Sequence, residues 1–206
     1  FIANPNNPTG TWLGSAELES FISALPAHVM VVIDEAYFEY VEEADYPDTC
    51  TWLARFPNLI VTRTFSKAYG LAGLRIGYAL SHPDVAGLLN RVRQPFNVNS
   101  VAQAAALAAL DDDDHLQQCV RRNREGMAQL RSGFEALGLS CIDSAGNFVC
   151  VDTGRSGADI YASLLRKGVI VRPVANYGLP RHLRVTVGRA DENARFLHAL
   201  EQVLHD

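Results

Sequence analysis

The first part of the chain alternates apolar runs typical of strands with stretches of helical periodicity. The run at residues 29–33, Val-Met-Val-Val-Ile, is the pattern of a strand buried on both faces of a parallel sheet. Leu18, Ile22 and Leu25 recur at helical spacing before it and predict a covering helix that stops at Pro26. Further strands are predicted at residues 1–3, 59–62 and 76–80, and further helices around 52–56, from about 83 and at 101–110. This alternation indicates an α/β fold with a mostly parallel sheet.

After residue 115 the pattern changes to one long helix followed by short strands and helices. Leu116, Leu130 and Leu137 lie on one face of that helix, which is predicted to end at Gly138. The elements predicted after it are strands at residues 147–152, 169–172 and 183–187, and helices at 158–167 and through 196–204. We therefore expect residues 1–115 to form part of a large domain with an interdomain helix, and residues 116–206 to form a small C-terminal α+β domain.

Composition bounds the kinds of partner that the chain can have. Its 206 residues carry a formal net charge of -5, so no basic surface for nucleic acid or for an anionic membrane is predicted. No apolar stretch approaches the length of a transmembrane helix and no charged-then-apolar leader opens the chain, so a cytoplasmic protein is expected. The chain begins Phe-Ile-Ala-Asn-Pro inside an apolar run, without an initiator methionine, and is expected to be the later part of a longer protein.

Neither the cysteines nor the run of four aspartates indicates a metal site. Cys50, Cys119, Cys141 and Cys150 are scattered without a Cys-x-x-Cys pair, which indicates neither a disulfide framework nor a zinc site. The adjacent aspartates at residues 111–114 cannot converge on one ion, so a solvated helix junction is expected there.

The polar turn between the strands predicted at 59–62 and 76–80 carries the candidate chemistry. Lys67 lies in this turn among hydroxyls and glycines. A lysine amine becomes a nucleophile toward an aldehyde when burial or a neighbouring cation favours its neutral form, and Arg75 supplies a cation. Thr64, Ser66 and Arg75 are donors suited to a phosphate, so the turn suggests a phosphorylated aldehyde such as pyridoxal phosphate (PLP). Taken alone, Lys67 is better explained as an exposed lysine in a Ser/Gly loop, and only the other residues of the set favour the cofactor.

Two more polar residues are predicted to join Lys67 at the carboxyl ends of the strands, where open α/β sheets bind ligands. Asp34 directly follows the buried strand, so it either has a partner there or caps the next segment. Asn7 precedes a proline that favours extended backbone, so its amide can face a ligand oxygen unless residues 4–10 form a plain turn. Tyr37 is explained as well by packing as by function.

Two arginines are placed on predicted strands of the second domain. Leu-Arg-Val-Thr-Val at residues 183–187 alternates strictly, so Arg184 and Thr186 face away from the three apolar side chains. An arginine in the middle of a strand either extends along the surface at a sheet edge or holds an anion, and Arg172 poses the same choice. An anion is the better explanation if the second domain closes over the Lys67 turn.

Four short motifs occur one after another along the chain, and both their wording and their order are informative. They are Asn-Pro-Asn-Asn-Pro-Thr-Gly at residues 4–10, Asp-Glu-Ala-Tyr at 34–37, Thr-Phe-Ser-Lys at 64–67 with Arg75, and Leu-Arg-Val-Thr-Val-Gly at 183–188. In this order the chain resembles the fold-type I PLP-dependent aminotransferases over nearly its whole length, and residues 63–75 are similar to the histidinol-phosphate aminotransferases among them. The resemblance implies a partial large PLP-binding domain with a mostly parallel sheet, plus the small C-terminal domain.

The same resemblance implies a role for each residue of a cofactor site. Lys67 would hold PLP as a Schiff base and shuttle a proton. Asp34 would pair with the pyridinium nitrogen, while Asn7 and Tyr37 would hydrogen-bond the phenolate oxygen. The residues implied to hold the cofactor phosphate are Thr64, Ser66 and Arg75.

The resemblance also implies a substrate. Arg184 matches the position that binds the substrate carboxylate, Arg172 would engage a substrate phosphate, and Asn97 would line the pocket. The implied reaction moves an amino group between L-histidinol phosphate and 2-oxoglutarate or glutamate in histidine biosynthesis, in a homodimer. The enzyme alternatives are an aromatic amino acid aminotransferase and a phosphothreonine decarboxylase. The alternative from another class is the aminotransferase-like effector-sensing module of a transcription regulator.

Overall fold

The computed structural model describes residues Phe1–His205, which form two compact units. The first unit contains Phe1–Pro5 and Trp12–Cys119. Its sheet has the order β1 (Ile2–Ala3), β2 (Val31–Asp34), β3 (Leu59–Thr64) and β4 (Gly77–Ser81). Strands β1, β2 and β3 are parallel and β4 is antiparallel to β3, so the prediction of a mostly parallel sheet is confirmed.

Helices and 3-10 turns alternate with these strands, and the helix at Ser15–Ala24 packs on the sheet as predicted. The helix predicted around residues 52–56 differs from the structure, which has a 3-10 turn at Thr49–Trp52. The helices are α1 (Ser15–Ala24), α2 (Pro83–Val92) and α3 (Ser100–Leu110), and the 3-10 turns are Phe38–Tyr40, Thr49–Trp52 and Ala72–Leu74. The core of the unit joins α1 to the two central strands through Leu18, Ile22, Val31, Ile33, Leu59 and Val61. The apolar residues of β2 and β3 lie in the first half of each strand, and the polar residues lie at the carboxyl ends.

The second unit contains Asn6–Thr11 and the chain from Val120 onward. Helix α4 (Asp113–Ala136) begins in the first unit and continues into the second. The sheet has the order β5 (Ser140–Ile142), β6 (Phe148–Asp152), β8 (Leu179–Thr186) and β7 (Arg172–Val174), with every neighbouring pair antiparallel. Helices α5 (Gly157–Arg166) and α6 (Ala190–His205) and a 3-10 turn at Ala175–Tyr177 complete the unit.

The core of the second unit lies between this sheet and its helices. Leu183 and Val185 are buried, whereas Arg184 is half-buried and Thr186 is exposed, so the alternation predicted for this strand is confirmed. The core is completed by α4 and α6, where the rings of Phe134 and Phe196 meet edge to face at 6.1 Å between centroids. Strand β8 therefore presents Arg184 on the face opposite to the apolar core.

One strand prediction is wrong, and one strand of the structure was not predicted. The strand predicted at residues 169–172 is wrong except for its last residue, because the observed strand is Arg172–Val174. Val169 is buried while Ile170 is 78% exposed, so the apolar run fills part of the core without joining the sheet. The three-residue strand β5 was not predicted, since Ser140–Ile142 is too short to show a period. Among residues Phe1–His205, none of the helices is long and apolar enough to cross a membrane.

Candidate functional site

The turn after β3 projects Lys67 from a closed and well-anchored loop. The Phe65 amide donates to Ile76 O at 3.2 Å, and the Leu71 amide donates to Phe65 O at 2.9 Å, which closes the loop across its base. Phe65 and Ala68 are buried on either side of the pair Ser66 and Lys67, which are half-buried. The turn thus holds the lysine at the end of the sheet with its backbone constrained.

The hydroxyls and the arginine predicted for a phosphate lie in this same turn. The Ser66 amide donates to Thr64 Oγ1 at 3.1 Å, which fixes the first residues of the turn. Arg75 adopts the left-handed conformation, with φ 55°, and its Nη1 donates to Ala72 O at 3.0 Å. Arg75 is exposed, and N–H groups of its guanidinium other than the one bonded to Ala72 are donors for an anion.

Asp34 and Tyr37 lie at the carboxyl end of β2. Thr62 Oγ1 donates to Asp34 Oδ1 at 3.1 Å, so the partner expected for Asp34 is a neighbouring strand residue, and the capping alternative is not supported. Lys67 Nζ lies 5.5 Å from the centroid of the buried Tyr37 ring, within the range of a cation–π contact. The structure therefore brings the Lys67 turn against the Asp34-to-Tyr37 segment, as expected from the topology.

Behind this edge is a buried ion pair that sequence reasoning missed. Glu35 is fully buried and accepts hydrogen bonds at Oε2 from Arg63, at 2.8 Å from Nε and 2.7 Å from Nη2. Burial raises the pKa of Glu35, and the Thr49 and Arg63 hydrogen bonds and the Arg63 charge offset part of that effect. Glu35, Asp48 and Cys50 are close enough to suggest metal ligands, but the guanidinium already bonds both carboxylates. The sequence did contain a signal for this ion pair. One charged residue directly follows Asp34 and another directly follows Thr62, each at the end of a buried strand.

The second unit brings together Asn7 and Arg184, which are 177 positions apart in sequence. Arg184 Nη1 donates to Asn7 Oδ1 at 2.7 Å, and the guanidinium carbon lies 5.1 Å from the centroid of the Phe148 ring. Arg184 Nε is buried and has no hydrogen-bond partner among residues Phe1–His205. A buried cationic donor without a partner costs free energy, so this arrangement favours an anionic ligand.

The loop Asn6–Thr11 holds Asn7 in place within the second unit. Gly10 has φ 80°, and a Cβ atom at this position would overlap Ser144 Oγ, so only glycine fits this approach. The Ala145 amide donates to Gly10 O at 2.9 Å, and Cys150 Sγ donates to Pro8 O at 2.8 Å. The plain-turn alternative therefore accounts for the backbone of this loop but not for the Asn7 side chain.

The other two predicted substrate residues are placed differently. Arg172 is directly opposite Arg184 on neighbouring strands, and its Nη2 donates to Tyr177 Oη at 3.3 Å. Asn97 is exposed and accepts a hydrogen bond from Arg93 Nη1 at 3.0 Å. Within the described residues, no hydrogen bond links Asn97 to the Lys67 turn. Asn99, two positions further on, caps α3 through the Ala102 amide at 2.9 Å.

Comparison with known proteins identifies the family. The model of the family "Aminotransferase class I and II" matches residues 1–200, and the chain belongs to this family. Histidinol-phosphate aminotransferase 1 of Nitrosococcus oceani is 66% identical over 206 residues, which cover 100% of this chain and 56% of that protein. Histidinol-phosphate aminotransferase 2 of Pseudomonas fluorescens is 64% identical over 204 residues, which cover 99% and 55%. The chain thus spans slightly more than half the length of the curated relatives it matches.

A solved structure agrees with this assignment. The crystal structure of histidinol-phosphate aminotransferase from Sinorhizobium meliloti, in complex with pyridoxal-5'-phosphate, aligns with a TM-score of 0.91 at 36% identity. The alignment covers 98% of this chain and 56% of that one. The predicted fold class, a partial fold-type I α/β domain with a mostly parallel sheet, is confirmed.

Proposed function

We propose that the chain is part of a PLP-dependent aminotransferase that moves an amino group between L-histidinol phosphate and 2-oxoglutarate. The observation that carries the proposal is the contact between Lys67 and Tyr37, since it brings the candidate nucleophile beside the carboxyl end of the strand that bears Asp34. The names of the relatives at 66% and 64% identity support histidinol phosphate over an aromatic amino acid or phosphothreonine as substrate.

The residues of the first unit fit PLP by the chemistry of their donors and acceptors. The cofactor needs an amine for its aldehyde, an acid for its ring nitrogen and donors for its phosphate. Lys67 supplies the amine. Asp34 accepts from Thr62 at Oδ1, which leaves Oδ2 to accept from the ring nitrogen. Thr64, Ser66 and Arg75 share one turn and are proposed to supply the phosphate donors, and Arg75 is exposed.

The chain's own residues would then divide the work of proton transfer. When bound, PLP supplies an electron sink for the substrate carbon that loses a proton. Lys67 is proposed to take that proton and return it, while the Asp34 carboxylate holds a proton on the ring nitrogen. Tyr37 is proposed to donate to the ring oxygen. Asn7 is proposed to do so too, through Nδ2, because its Oδ1 already accepts from Arg184.

The arginines of the second unit are proposed to bind the substrate anions. A guanidinium forms two parallel hydrogen bonds with a carboxylate or a phosphate, so Arg184 suits either of the two substrates. Its buried Nε is a donor available for such a fork. Arg172 is proposed to engage the phosphate of histidinol phosphate, and Asn97 to line the pocket. We further propose a cytoplasmic homodimer for the whole protein.

Absorbance spectroscopy of the full-length protein tests this proposal. With PLP added, the wild type is expected to develop a visible band that changes when L-histidinol phosphate is added. The Lys67→Ala variant should lack the protein-linked band and should not turn the substrate over, since it has no amine at this position to bind the aldehyde or to move the proton. Steady-state comparison with phenylalanine and tyrosine completes the test. Equal specificity constants for all three amines would contradict the proposed substrate, and an absent band in the wild type would contradict the proposed chemistry.

A further inference from the structure

The ends of β2 and β3 make two side-chain contacts on opposite faces of the sheet. Asp34 and Thr62 are register partners and meet on one face, at 3.1 Å between oxygens. The next residue of each strand, Glu35 and Arg63, forms the buried ion pair. Because successive side chains of an extended chain point to opposite faces, the ion pair lies behind the Asp34 contact. The two contacts therefore share the same short pieces of backbone.

The ion pair is almost completely enclosed and fully hydrogen-bonded at the carboxylate. Glu35 has no exposed side-chain surface and Arg63 has 12%. Glu35 Oε2 accepts from two nitrogens of Arg63, and Glu35 Oε1 accepts from the hydroxyl and the amide of Thr49. Buried pairs of this kind contribute little net stability, because their desolvation cancels much of their attraction, but they hold one geometry.

Arg63 extends the same constraint to the segments that follow β2. Its Nη2 also donates to Asp48 Oδ1 at 2.7 Å, and its guanidinium carbon lies 3.5 Å from the centroid of the Phe38 ring. The Glu35 amide donates to Thr62 O at 2.9 Å, which adds a backbone bond one residue beyond β2. Asp34, by contrast, is exposed, and within the described part of the chain its side chain receives a single hydrogen bond, so its position depends on the backbone that Glu35 anchors.

We propose that Glu35 and Arg63 are positioning residues that hold the Asp34 carboxylate where it meets the cofactor ring nitrogen. This inference rests on the proposed PLP-dependent function. It gives a role to a buried ion pair that is not among the residues proposed to contact the cofactor or the substrate. Loosening the pair should leave the fold and the Lys67 amine in place and shift Asp34. A displaced carboxylate stabilises the protonated ring nitrogen less well.

The test uses the full-length protein in three variants. Arg63→Lys keeps the charge but loses the planar fork, and Glu35→Gln removes one charge of the pair. The double variant Glu35→Gln with Arg63→Gln removes both charges, so no unpaired buried ion remains to disturb folding. The matched control is Glu19→Gln, which breaks the exposed ion pair of the same unit with Arg55. The readouts are the melting temperature, the PLP dissociation constant and the pH midpoint of the visible absorbance.

If Glu35 and Arg63 position Asp34, the double variant and Arg63→Lys should melt close to the wild type. Both should nevertheless bind PLP about tenfold more weakly, and the pH midpoint of their visible absorbance should be displaced. Glu19→Gln should match the wild type in all three readouts. Folded variants with wild-type PLP affinity and midpoint would overturn the inference. So would an unfolded Arg63→Lys, because the pair would then be a requirement of folding. A wild type that binds no PLP would refute the proposed function itself, while one that binds PLP but rejects histidinol phosphate would refute only the substrate.

Discussion

Replacing Arg184 with lysine separates the charge of this side chain from its geometry. In the structure, Arg184 Nη1 donates to Asn7 Oδ1 at 2.7 Å, and the buried Nε has no partner among the residues that the structure describes. A guanidinium can therefore hold Asn7 with one nitrogen and offer others to an anion. Lysine keeps the positive charge but has a single ammonium on a flexible stem, so it cannot do both with the same geometry.

The size of the effect follows from the hydrogen bonds lost. A hydrogen bond to a charged group contributes about 1.5–3 kcal/mol. If Arg184→Lys loses one such bond to the substrate anion, kcat/KM should fall roughly 10- to 150-fold, since each ~1.4 kcal/mol is a factor of ten. Arg184 is only half-buried, and solvent screening favours the lower part of this range.

Steady-state kinetics on the full-length protein, with glutamate and with L-histidinol phosphate, provide the assay. The control is Arg181→Lys, which changes an arginine of the same strand whose side chain is 58% exposed and pairs with Asp152. The control should stay within about twofold of the wild type for both substrates. An Arg184→Lys variant that also stays within about twofold would refute the assignment of Arg184 to substrate binding.

Three further predictions concern the second unit of the full-length protein. Arg172→Ala should raise KM for histidinol phosphate more than KM for glutamate, and an unchanged KM for histidinol phosphate would contradict its proposed role. Phe134→Ala should lower the free energy of unfolding by about 3–5 kcal/mol in urea denaturation, because this side chain is 1% exposed in the core. Asp152→Asn should lower stability at neutral pH by about 1 kcal/mol. Burial raises the pKa of Asp152, but bonds from the Gly154 amide and from Arg181 outweigh it and hold that pKa below its ordinary value. The difference between wild type and variant should therefore be present above about pH 4 and disappear as the pH falls below the lowered pKa; a difference that persists in acid would contradict this.

The sequence predicted most of the fold because apolar runs and helical spacing are local signals. The runs at β2 and β3 and the strict alternation in β8 correspond to strands in the structure. The strand prediction failed where an apolar run contributes to packing but not to the sheet, as at residues 169–171, which precede β7. The order of the motifs also indicated which residues to consider for a cofactor, and Lys67, Asp34 and Tyr37 do lie at one edge of one sheet.

The sequence by itself determined that polar and ionisable residues end the buried strands of the first unit, since periodicity is a property of neighbouring residues. Only the tertiary structure decided which of them meet. Glu35 pairs with Arg63 across 28 positions, and Asn7 with Arg184 across 177, and no periodicity relates residues that far apart. Such partners are chosen by strand order and register, which depend on the free energy of the whole packed chain.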